Sequence, residues 1–198
     1  MAVRGDLGRP ETRVSPAPPL VLASTSPQRR AILEQLRIPF EVVTPDFHEA
    51  AGTSPLDRAA GKARSVQLDG RAVLGVDTEV LFDGGLLGKP ATAGDAEEML
   101  AALAGRTHEV VSGLCLRTGD WEELREETTH VTFRSLARRD VARYVAAGEW
   151  QGRAGGYAVQ GLGASLVERI DGDYLNVVGL PVAALVSVLA VRFPGVYV

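Results

Sequence analysis

One short stretch of the sequence, LASTSPQRRAIL at residues 22–33, combines several groups that bind phosphate. Ser26 suits the N-cap of a helix and Pro27 suits its first position, which leaves the backbone N–H groups of the first turn free to bind an anion. Arg29 and Arg30 fall in that same turn, where the helix dipole disfavours cations. A bound polyphosphate would explain the arginine pair. The alternative is an ordinary Ser-Pro cap followed by a solvated arginine face.

A second stretch, GVDTEVLFDGGLLGKP at residues 75–90, places a carboxylate inside an apolar run. Burying Asp77 there is costly unless its carboxylate is hydrogen-bonded, paired with a cation or bound to a metal. Lys89 follows in a Gly-Lys-Pro turn and brings a cation to the same stretch. The alternative is that Asp77 caps the end of a strand, which is the more common position of a lone aspartate.

Carboxylates also occur in PDFHEA, where Asp46 and Glu49 follow an apolar strand-like run. They could hold a hard cation through oxygen ligands, or they could belong to a polar loop. The three histidines, His48, His108 and His130, lack the spacing of a metal site, and we assign them no role.

The glycine-rich stretch GRAGGYAVQGLG, residues 152–163, permits a ligand to approach the backbone closely. Gln160 could recognise the amide-like edge of a nucleotide base, because its side chain both donates and accepts hydrogen bonds. Taken alone, the stretch also fits a β-bulge or a tight hairpin with Tyr157 in the core.

Lysine is rare in this chain, since only Lys62 and Lys89 among the 21 lysines and arginines are lysines. A general preference for arginine would leave two lysines by chance. A site that needs compact ammonium groups would instead retain them for their shape. The two positions are therefore candidates for contacts that a planar guanidinium would fit badly.

The composition is that of an ordinary globular protein. Hydrophobic residues make up 45% of the 198 residues and charged residues 23%, which excludes the class of highly charged disordered proteins. The net charge of −4 gives no general attraction to nucleic acid, so we expect no nucleic-acid partner and an anion site formed by local cations. The single cysteine, Cys115, excludes an internal disulfide, and its apolar surroundings indicate a buried strand residue.

No apolar run reaches the roughly 18 residues of a membrane-spanning helix, and the first residues lack the apolar region of a signal peptide. We therefore expect a cytoplasmic protein with no membrane partner. Two nucleotide-binding signatures are missing as well, because no G-x-G-x-x-G connects a strand to a helix and no G-x-x-x-x-G-K-[ST] occurs. Neither a Rossmann site nor a P-loop is expected.

The elements that must position these groups alternate between strand and helix patterns. Residues 1–19 carry proline, glycine and charge without periodicity and are predicted to be a flexible tail, which leaves one domain over 20–198. A strand, a helix, a strand and a helix then precede residues 75–90, where a turn at 83–85 is predicted between two short strands.

A helix capped by Thr92 and stopped by Gly105 follows, and after it come two strands, another helix, the glycine-rich stretch and a last apolar helix with Pro181 in its first turn. Because the early elements alternate while the middle strands follow one another, a mixed sheet fits better than an all-parallel one. The sequence therefore predicts an α/β fold with a twisted mixed β-sheet flanked by helices.

Taken together, these stretches resemble the Maf family of nucleoside triphosphate pyrophosphatases, also called septum formation inhibitor Maf. The matching motifs, from about residue 20 to residue 189, are LASTSPQRRAIL, PDFHE, Lys62-Ala63, GVDTEVLFDGGLLGKP, LAGRTHEVVSGL, YVAAGE and AGGYAVQGLGASLVERIDGDYLNVVGLP. The resemblance implies a Maf/ITPase-like fold, with two lobes around an active-site cleft, and a homodimer. It also implies hydrolysis of a nucleoside triphosphate between the α and β phosphates, giving the monophosphate and pyrophosphate, with a divalent metal cation, Mg²⁺ or Mn²⁺.

The resemblance also assigns roles to matching positions. Asp77 would be the general base that activates water, and it would hold the metal together with Glu49. Five residues would bind the triphosphate: Ser24, Ser26, Arg29, Lys62 and Lys89. These roles agree with the chemistry of the residues, because phosphate favours helix N–H groups and cations while the water needs a carboxylate. Both lysines occupy positions to which the resemblance assigns phosphate binding. This favours the explanation that they are retained for their compact ammonium groups.

Three positions would set the base preference. Thr78 and Gln160 follow the pattern of the branch that resembles enzymes for dTTP, UTP and related pyrimidine nucleotides. Gln28 departs from it, because this branch usually has arginine there and the 7-methyl-GTP branch an aromatic residue, while Arg153 replaces a usual lysine and keeps its charge. The sequence predicts a pyrimidine nucleotide pyrophosphatase with relaxed base discrimination. The alternative is a non-catalytic regulator of cell division or septation that binds a nucleotide or a protein.

Overall fold

The structure is a computed structural model that describes residues 18–48, 52–67 and 69–197. Seven strands in these ranges form one sheet: β1 (Leu20–Ala23), β2 (Phe40–Val43), β3 (Val73–Phe82), β4 (Gly85–Leu87), β5 (Thr107–Arg117), β6 (Glu122–Phe133) and β7 (Val167–Asp171). The strand order is β2-β1-β3-β5-β6-β7, and β4 pairs with the end of β3. β1 runs parallel to β2 and β3, whereas the other pairings are antiparallel. The predicted mixed sheet is confirmed.

The α-helices of the same ranges are α1 (Pro27–Gln35), α2 (Pro55–Arg64), α3 (Ala93–Leu103), α4 (Arg138–Ala146), α5 (Tyr174–Val178) and α6 (Val182–Arg192). Side-chain caps explain where the first three begin, because Ser26, Ser54 and Thr92 each accept a hydrogen bond from a backbone N–H of the first turn. Gly105 follows α3 with a φ of 70°, the left-handed conformation that ends many helices. The predicted cap and stop of α3 are confirmed.

Helices cover both faces of the sheet. Leu22 and Leu74 belong to a core shared with α1 and α6, whereas the residues before them, Val21 and Val73, belong to a core shared with α2. A third core joins β3, β5 and β6 to α3 and α4. Because successive strand residues point to opposite faces, the odd-numbered residues of β3 from Val73 to Glu79 face α2.

The glycine-rich stretch does not form a hairpin. It contains short 3₁₀ turns at Ala154–Gly156 and Leu162–Leu166, and β7 and α5 follow it. Gly155 and Gly156 have φ values of 69° and 72°, which explains why the backbone turns here and does not extend into a strand. Tyr157 is 6% exposed, as the core alternative predicted.

Other expectations meet the structure in part. Cys115 is fully buried in β5, as predicted, and burial raises the pKa of its thiol to about 12. Pro181 lies one residue before α6 and not inside its first turn.

Most of the predicted tail, residues 1–17, lies outside the described residues, and the two-lobed arrangement remains a prediction. None of the helices in the described ranges combines the length and apolarity that a membrane crossing requires.

Candidate active site

A pocket of about 640 Å³ brings together the site residues predicted from the sequence. Nine of the ten line it: Ser24, Ser26, Gln28, Arg29, Lys62, Asp77, Thr78, Lys89 and Gln160. They come from the β1–α1 corner, α2, β3, the turn before α3 and the glycine-rich stretch. The tenth, Glu49, lies outside the described residues. Asp46 is exposed and does not line the pocket.

The β1–α1 corner forms as predicted. Ser26 is the N-cap of α1, where its Oγ accepts a hydrogen bond from the Arg29 N–H at 3.5 Å, and Pro27 occupies the first helical position. Ser24 is 5% exposed, and its Oγ accepts a hydrogen bond from the Ser26 N–H at 3.2 Å. Both serines therefore lie in the pocket wall beside the first turn of α1, where the helix dipole favours an anion.

The neighbouring arginines, Arg29 and Arg30, have different surroundings. Arg29 is 9% exposed, and its guanidinium donates hydrogen bonds to the Gly179 carbonyl at 2.9 Å, to Ser24 Oγ at 3.0 Å and to Thr78 Oγ1 at 3.3 Å. Arg30 is exposed and forms an ion pair within α1. The solvated-face alternative thus holds for Arg30 alone, and Arg29 is held in the pocket wall.

Asp77 lies within β3 and does not cap a strand end, so that alternative is wrong. The residue is 8% exposed, and its two carboxylate oxygens accept hydrogen bonds from Arg58 Nε at 2.6 Å and from Lys62 Nζ at 2.5 Å. Arg58 also donates a hydrogen bond to Glu79 Oε2 at 2.6 Å. These ion pairs with α2 explain how a carboxylate can be buried within an apolar strand.

The four residues joined by these ion pairs form a network, and their spacing along α2 and β3 explains it. Arg58 and Lys62 lie one helical turn apart on the same side of α2, and Asp77 and Glu79 lie two residues apart on the same face of β3. Burial lowers the pKa of Arg58, but the hydrogen bonds to Glu79 and Asp77 outweigh it and leave that pKa above its ordinary value. The Arg58 guanidinium is therefore charged throughout the physiological pH range.

Two glycines allow α2 to lie close to the sheet. A Cβ added to Gly75 of β3 would lie 2.2 Å from the carbonyl oxygen of Ala59, and one added to Gly113 of β5 would lie 2.4 Å from the Cα of Leu56. Both neighbours are backbone atoms of α2, so the helix itself would have to move. Gly75 and Gly113 therefore set the distance between the cations of α2 and the carboxylates of β3.

We expect Gly113→Ala to lower the free energy of unfolding by about 1 to 3 kcal/mol, the usual cost of adding a methyl group to a closely packed region. Urea denaturation followed by circular dichroism measures the change. Gly119→Ala is the matched control, because a Cβ at Gly119 would meet nothing within 4 Å. Equal, small effects of the two substitutions would show that α2 can move away from the sheet at no cost.

Two members of the network, Arg58 and Glu79, were not predicted from the sequence. Their only signals were the position of Arg58 four residues before Lys62 in a helical segment and that of Glu79 two residues after Asp77 in a strand. Neither spacing predicts a contact between the helix and the strand. Arg153, which the sequence had indicated only as a substitute for lysine, also lines the pocket.

The loop that carries Gln160 is held at both ends by α4 and the turn after it. The backbone N–H of Ala158 donates a hydrogen bond to the Tyr144 hydroxyl at 2.9 Å, and that of Leu162 donates one to Glu149 Oε2 at 2.8 Å. Burial raises the pKa of Tyr144 to about 12, so its hydroxyl is neutral at pH 7. These anchors fix the backbone on both sides of the exposed Gln160 side chain.

The other two residues assigned to base preference lie at the β1–α1 corner and on β3. Gln28 Oε1 accepts a hydrogen bond from the Ser26 hydroxyl at 3.2 Å. Thr78 Oγ1 lies 2.8 Å from Ser112 Oγ and accepts a hydrogen bond from Arg29. The Thr78 hydroxyl therefore helps to hold the Arg29 guanidinium in place.

The histidines do not form a metal site. His108 is 2% exposed, its Nε2 lies 2.8 Å from the Tyr157 hydroxyl, and burial lowers its pKa to about 4, so its ring is neutral at pH 7. His48 and His130 are exposed. Within the described ranges, no group of three or more His, Cys, Asp or Glu residues could hold a metal ion.

Asp77 and Glu79 nevertheless suit one kind of metal site. Mg²⁺ prefers oxygen ligands and is commonly bound through one or two protein carboxylates together with phosphate oxygens of a substrate. Both carboxylates line the pocket beside its cations. The donor set therefore fits a hard divalent cation that arrives with a phosphate ligand.

The pocket is positively charged although the protein is not. Its described lining holds two carboxylates, Asp77 and Glu79, and five cations: Arg29, Arg58, Lys62, Lys89 and Arg153. The whole chain carries a net charge of −4. A local excess of cations in a partly enclosed site attracts a highly charged anion such as a triphosphate.

Comparison with known proteins gives matches over most of the chain. Residues 19–192 match the family model described as Maf-like protein. A dTTP/UTP pyrophosphatase of Symbiobacterium thermophilum is 46% identical over 178 residues, which cover 86% of this chain and 92% of the relative. Proteins of the same name from Nitratidesulfovibrio vulgaris and Thermus thermophilus are 47% and 42% identical, covering 89% and 88% of this chain and 89% and 95% of the relatives.

Proposed function

The chain belongs to the Maf family, and on that basis we propose that it hydrolyses pyrimidine nucleoside triphosphates to the monophosphate and pyrophosphate. The proposed substrates include dTTP and UTP. The names of its relatives support this activity. The observation in the structure that carries the proposal is the pocket in which Asp77 lies beside five cations and the N-terminus of α1. This arrangement suits the binding of a triphosphate and the activation of water.

In the proposed complex the triphosphate lies along the cationic wall. The Ser24 hydroxyl donates a hydrogen bond to a phosphate oxygen, and the Ser26 hydroxyl does so by turning away from Gln28 Oε1. Arg29, Lys62 and Lys89 neutralise the charge of the phosphate oxygens. Arg29 is held by the Gly179 carbonyl and by two hydroxyls, so its guanidinium is positioned before the substrate binds. Such preorganisation reduces the entropy that is lost on binding.

Asp77 acts as the general base in this proposal. It accepts a proton from the water molecule that cleaves the bond between the α and β phosphates. Its two oxygens already accept hydrogen bonds from Arg58 and Lys62, but each carboxylate oxygen has a second lone-pair site for a water proton. The two cations hold the carboxylate in one orientation, and Glu79 holds Arg58.

A divalent metal cation, Mg²⁺ or Mn²⁺, is part of the proposed reaction. Asp77 and Glu79 are the described residues that would hold it, and Glu49 would join them as the family resemblance implies. When bound, such a cation offsets negative charge that develops on the phosphate oxygens. The protein residues orient the triphosphate and accept the proton.

Pyrophosphate release measured with a panel of nucleoside triphosphates and Mg²⁺ or Mn²⁺ tests the proposal. We expect UTP, dTTP, CTP or their modified forms to give the highest kcat/KM, and 7-methyl-GTP to be a weak substrate. If no nucleotide is turned over, the proposed function is wrong and a non-catalytic regulator of division or septation takes its place. No observation on the structure favours that regulator.

The identity of residue 28 should affect base preference. We expect Gln28→Arg to shift the kcat/KM ratio toward dTTP and UTP by about 1 to 3 kcal/mol, the range for one polar contact in a specificity pocket. Arginine offers fixed donors where the glutamine amide both donates and accepts. Competition between two substrates in one reaction measures the ratio. Unchanged ratios would remove Gln28 from base recognition, and 7-methyl-GTP as the best wild-type substrate would contradict the pyrimidine preference.

We further propose that the protein is a homodimer, as the family resemblance implies, and that it is cytoplasmic, as expected from the sequence. Light scattering over a dilution series is expected to give about twice the monomer mass of 21.0 kDa at the higher concentrations. Val191, on α6, is 76% exposed and adds apolar surface that a partner could cover. A mass of one chain at every concentration would contradict the dimer.

A further inference from the structure

The stretch GDYLNVVGLP, residues 172–181, contains a polar side chain that is completely buried, Asn176 of α5. Its amide nitrogen lies within hydrogen-bond distance of acceptors on two adjacent strands. These acceptors are the Val110 carbonyl of β5 at 3.0 Å, Thr129 Oγ1 of β6 at 3.1 Å and the Glu127 carbonyl of β6 at 3.4 Å. Asn176 therefore joins α5 to β5 and β6.

The amide oxygen of Asn176 is buried without a hydrogen-bond partner among the described residues. A buried polar atom that is left unpaired lowers the stability of the fold. The opposite orientation of the amide would be worse, because it would place the oxygen against three acceptors. An asparagine is thus a poor choice here for stability alone, but its directional hydrogen bonds fix the position of α5 on the sheet.

α5 depends on such contacts because it is too short to hold its own position. It has five residues, and isolated helices of this length are not stable in water. Gly172 and Gly179 flank it, and both have a φ of 128°, a conformation that favours glycine. Side-chain anchors therefore decide where α5 lies.

Thr129 provides a second anchor beside Asn176, and it is also completely buried. Its hydroxyl donates a hydrogen bond to the Asp173 carbonyl at 3.2 Å and accepts one from the Asp173 N–H at 3.1 Å. Asp173 is the N-cap of α5. The start and the middle of the helix are thus attached to β6, and its end leads to Gly179.

The end of α5 forms part of the active-site wall, where Val177, Val178 and Gly179 line the pocket. The Gly179 N–H donates a hydrogen bond to the Asn176 carbonyl at 3.0 Å, and the Gly179 carbonyl accepts one from Arg29 Nε at 2.9 Å. A shift of α5 would move this carbonyl. The Arg29 guanidinium would then lose the contact that orients it.

We propose that Asn176 is a positioning residue for triphosphate binding. It holds α5 on the sheet, α5 places the Gly179 carbonyl, and this carbonyl directs the Arg29 guanidinium toward the phosphates. The inference rests on the proposed function, since it takes Arg29 as a ligand of the triphosphate. Asn176 is not among the described residues that line the pocket, so it acts on the substrate through Arg29.

Binding of inorganic tripolyphosphate with Mg²⁺, measured by calorimetry, tests this series of contacts without turnover. We expect Arg29→Ala to raise Kd by about 10- to 100-fold, the effect of losing hydrogen bonds to a charged group. Asn176→Ala should raise it by about 3- to 10-fold, because the guanidinium keeps its charge but must be ordered on binding. The double variant should bind like Arg29→Ala alone, since Asn176 then has no guanidinium to position.

Steady-state kinetics with UTP separates positioning from a loss of stability. Asn176→Ala should raise KM and leave kcat within about twofold, whereas partial unfolding would lower kcat and leave KM unchanged. Thr129→Val keeps the size of the side chain, removes the hydroxyl and should act in the same direction by a smaller factor. Leu103→Ala is the control for stability, because it opens a cavity in the core at the last residue of α3 and should change neither Kd nor KM.

The outcomes separate the two proposals. Equal losses from Asn176→Ala with and without Arg29 overturn the inference, and so does an unchanged Kd in a folded Asn176→Ala variant. If Asn176→Ala does not fold, Thr129→Val decides by the same comparison. With UTP hydrolysed, these results leave the proposed function intact.

Two results bear on the proposed function itself. Absence of turnover with every nucleotide overturns it, while non-additive losses of tripolyphosphate binding would still support the positioning role of Asn176. An unchanged Kd in Arg29→Ala would refute both that role and the assignment of Arg29 to the triphosphate.

Discussion

Replacing Asp77 by asparagine is expected to lower kcat by about 10²- to 10⁴-fold, the usual contribution of a general base. Asparagine keeps the size of the side chain and one oxygen acceptor, but it cannot take a proton from water. Arg58 keeps its hydrogen bond to Glu79, so the site retains part of its network. Pyrophosphate release at saturating metal measures the loss.

Binding and folding measurements make this result specific. Substitution of Asp77 removes one negative charge from a pocket that is proposed to bind an anion, so triphosphate binding by Asp77→Asn should remain measurable. Urea denaturation should give a cooperative transition, which shows that the variant is folded. A kcat near that of the wild-type protein would show that Asp77 has only a structural role, as a partner of Arg58 and Lys62.

The second large effect is expected from replacing the lysines by arginine, although arginine supplies nearly every other cation of the chain. Lys62 Nζ lies 2.5 Å from Asp77 Oδ1, and its side chain is 14% exposed. A longer, planar guanidinium cannot occupy that position without displacing Asp77 or the neighbouring Arg58. We expect Lys62→Arg to lower kcat/KM by about 10- to 100-fold, the cost of displacing a catalytic group by roughly 1 Å.

Variants of Lys89 and Arg153 show whether the loss of activity depends on the burial of a lysine or on the shape of the cationic group. Lys89 is exposed at the pocket, so Lys89→Arg should also lower kcat/KM but by less than Lys62→Arg. Arg153→Lys, a change in the opposite direction in the same pocket, should be nearly silent. Full kcat/KM in both lysine variants would show that the two lysines were retained by chance and not for their compact shape.

Local features of the sequence were sufficient to predict many of the elements. Helix starts are encoded within four residues, as at Ser26 and Thr92, and the left-handed Gly105 marks the end of α3. The start of β6 has no such local marker, and its pairing with β5 extends to the pair Arg117 and Glu122. That boundary depends on a partner strand and not on the residues themselves.

For the same reason, only part of the candidate site could be predicted. The types of the residues proposed to bind phosphate and the cost of burying Asp77 followed from the sequence, and the family resemblance joined them into one site. The ion-pair partners of Asp77 did not follow from the sequence, because Arg58 lies 19 residues away in another element. The position of Arg29 depends on Gly179, which is 150 residues away.

The sequence by itself determined which groups are available: helix caps, a carboxylate in an apolar strand, two lysines among many arginines, and motifs typical of the Maf family. Tertiary structure alone decided that Arg29 is buried while Arg30 is solvated, and that Glu79 shares Arg58 with Asp77. Local patterns specify backbone conformation because capping and strand alternation act over a few residues. Ion pairs between α2 and β3 require the close packing that Gly75 and Gly113 permit, and that packing exists only in the folded chain.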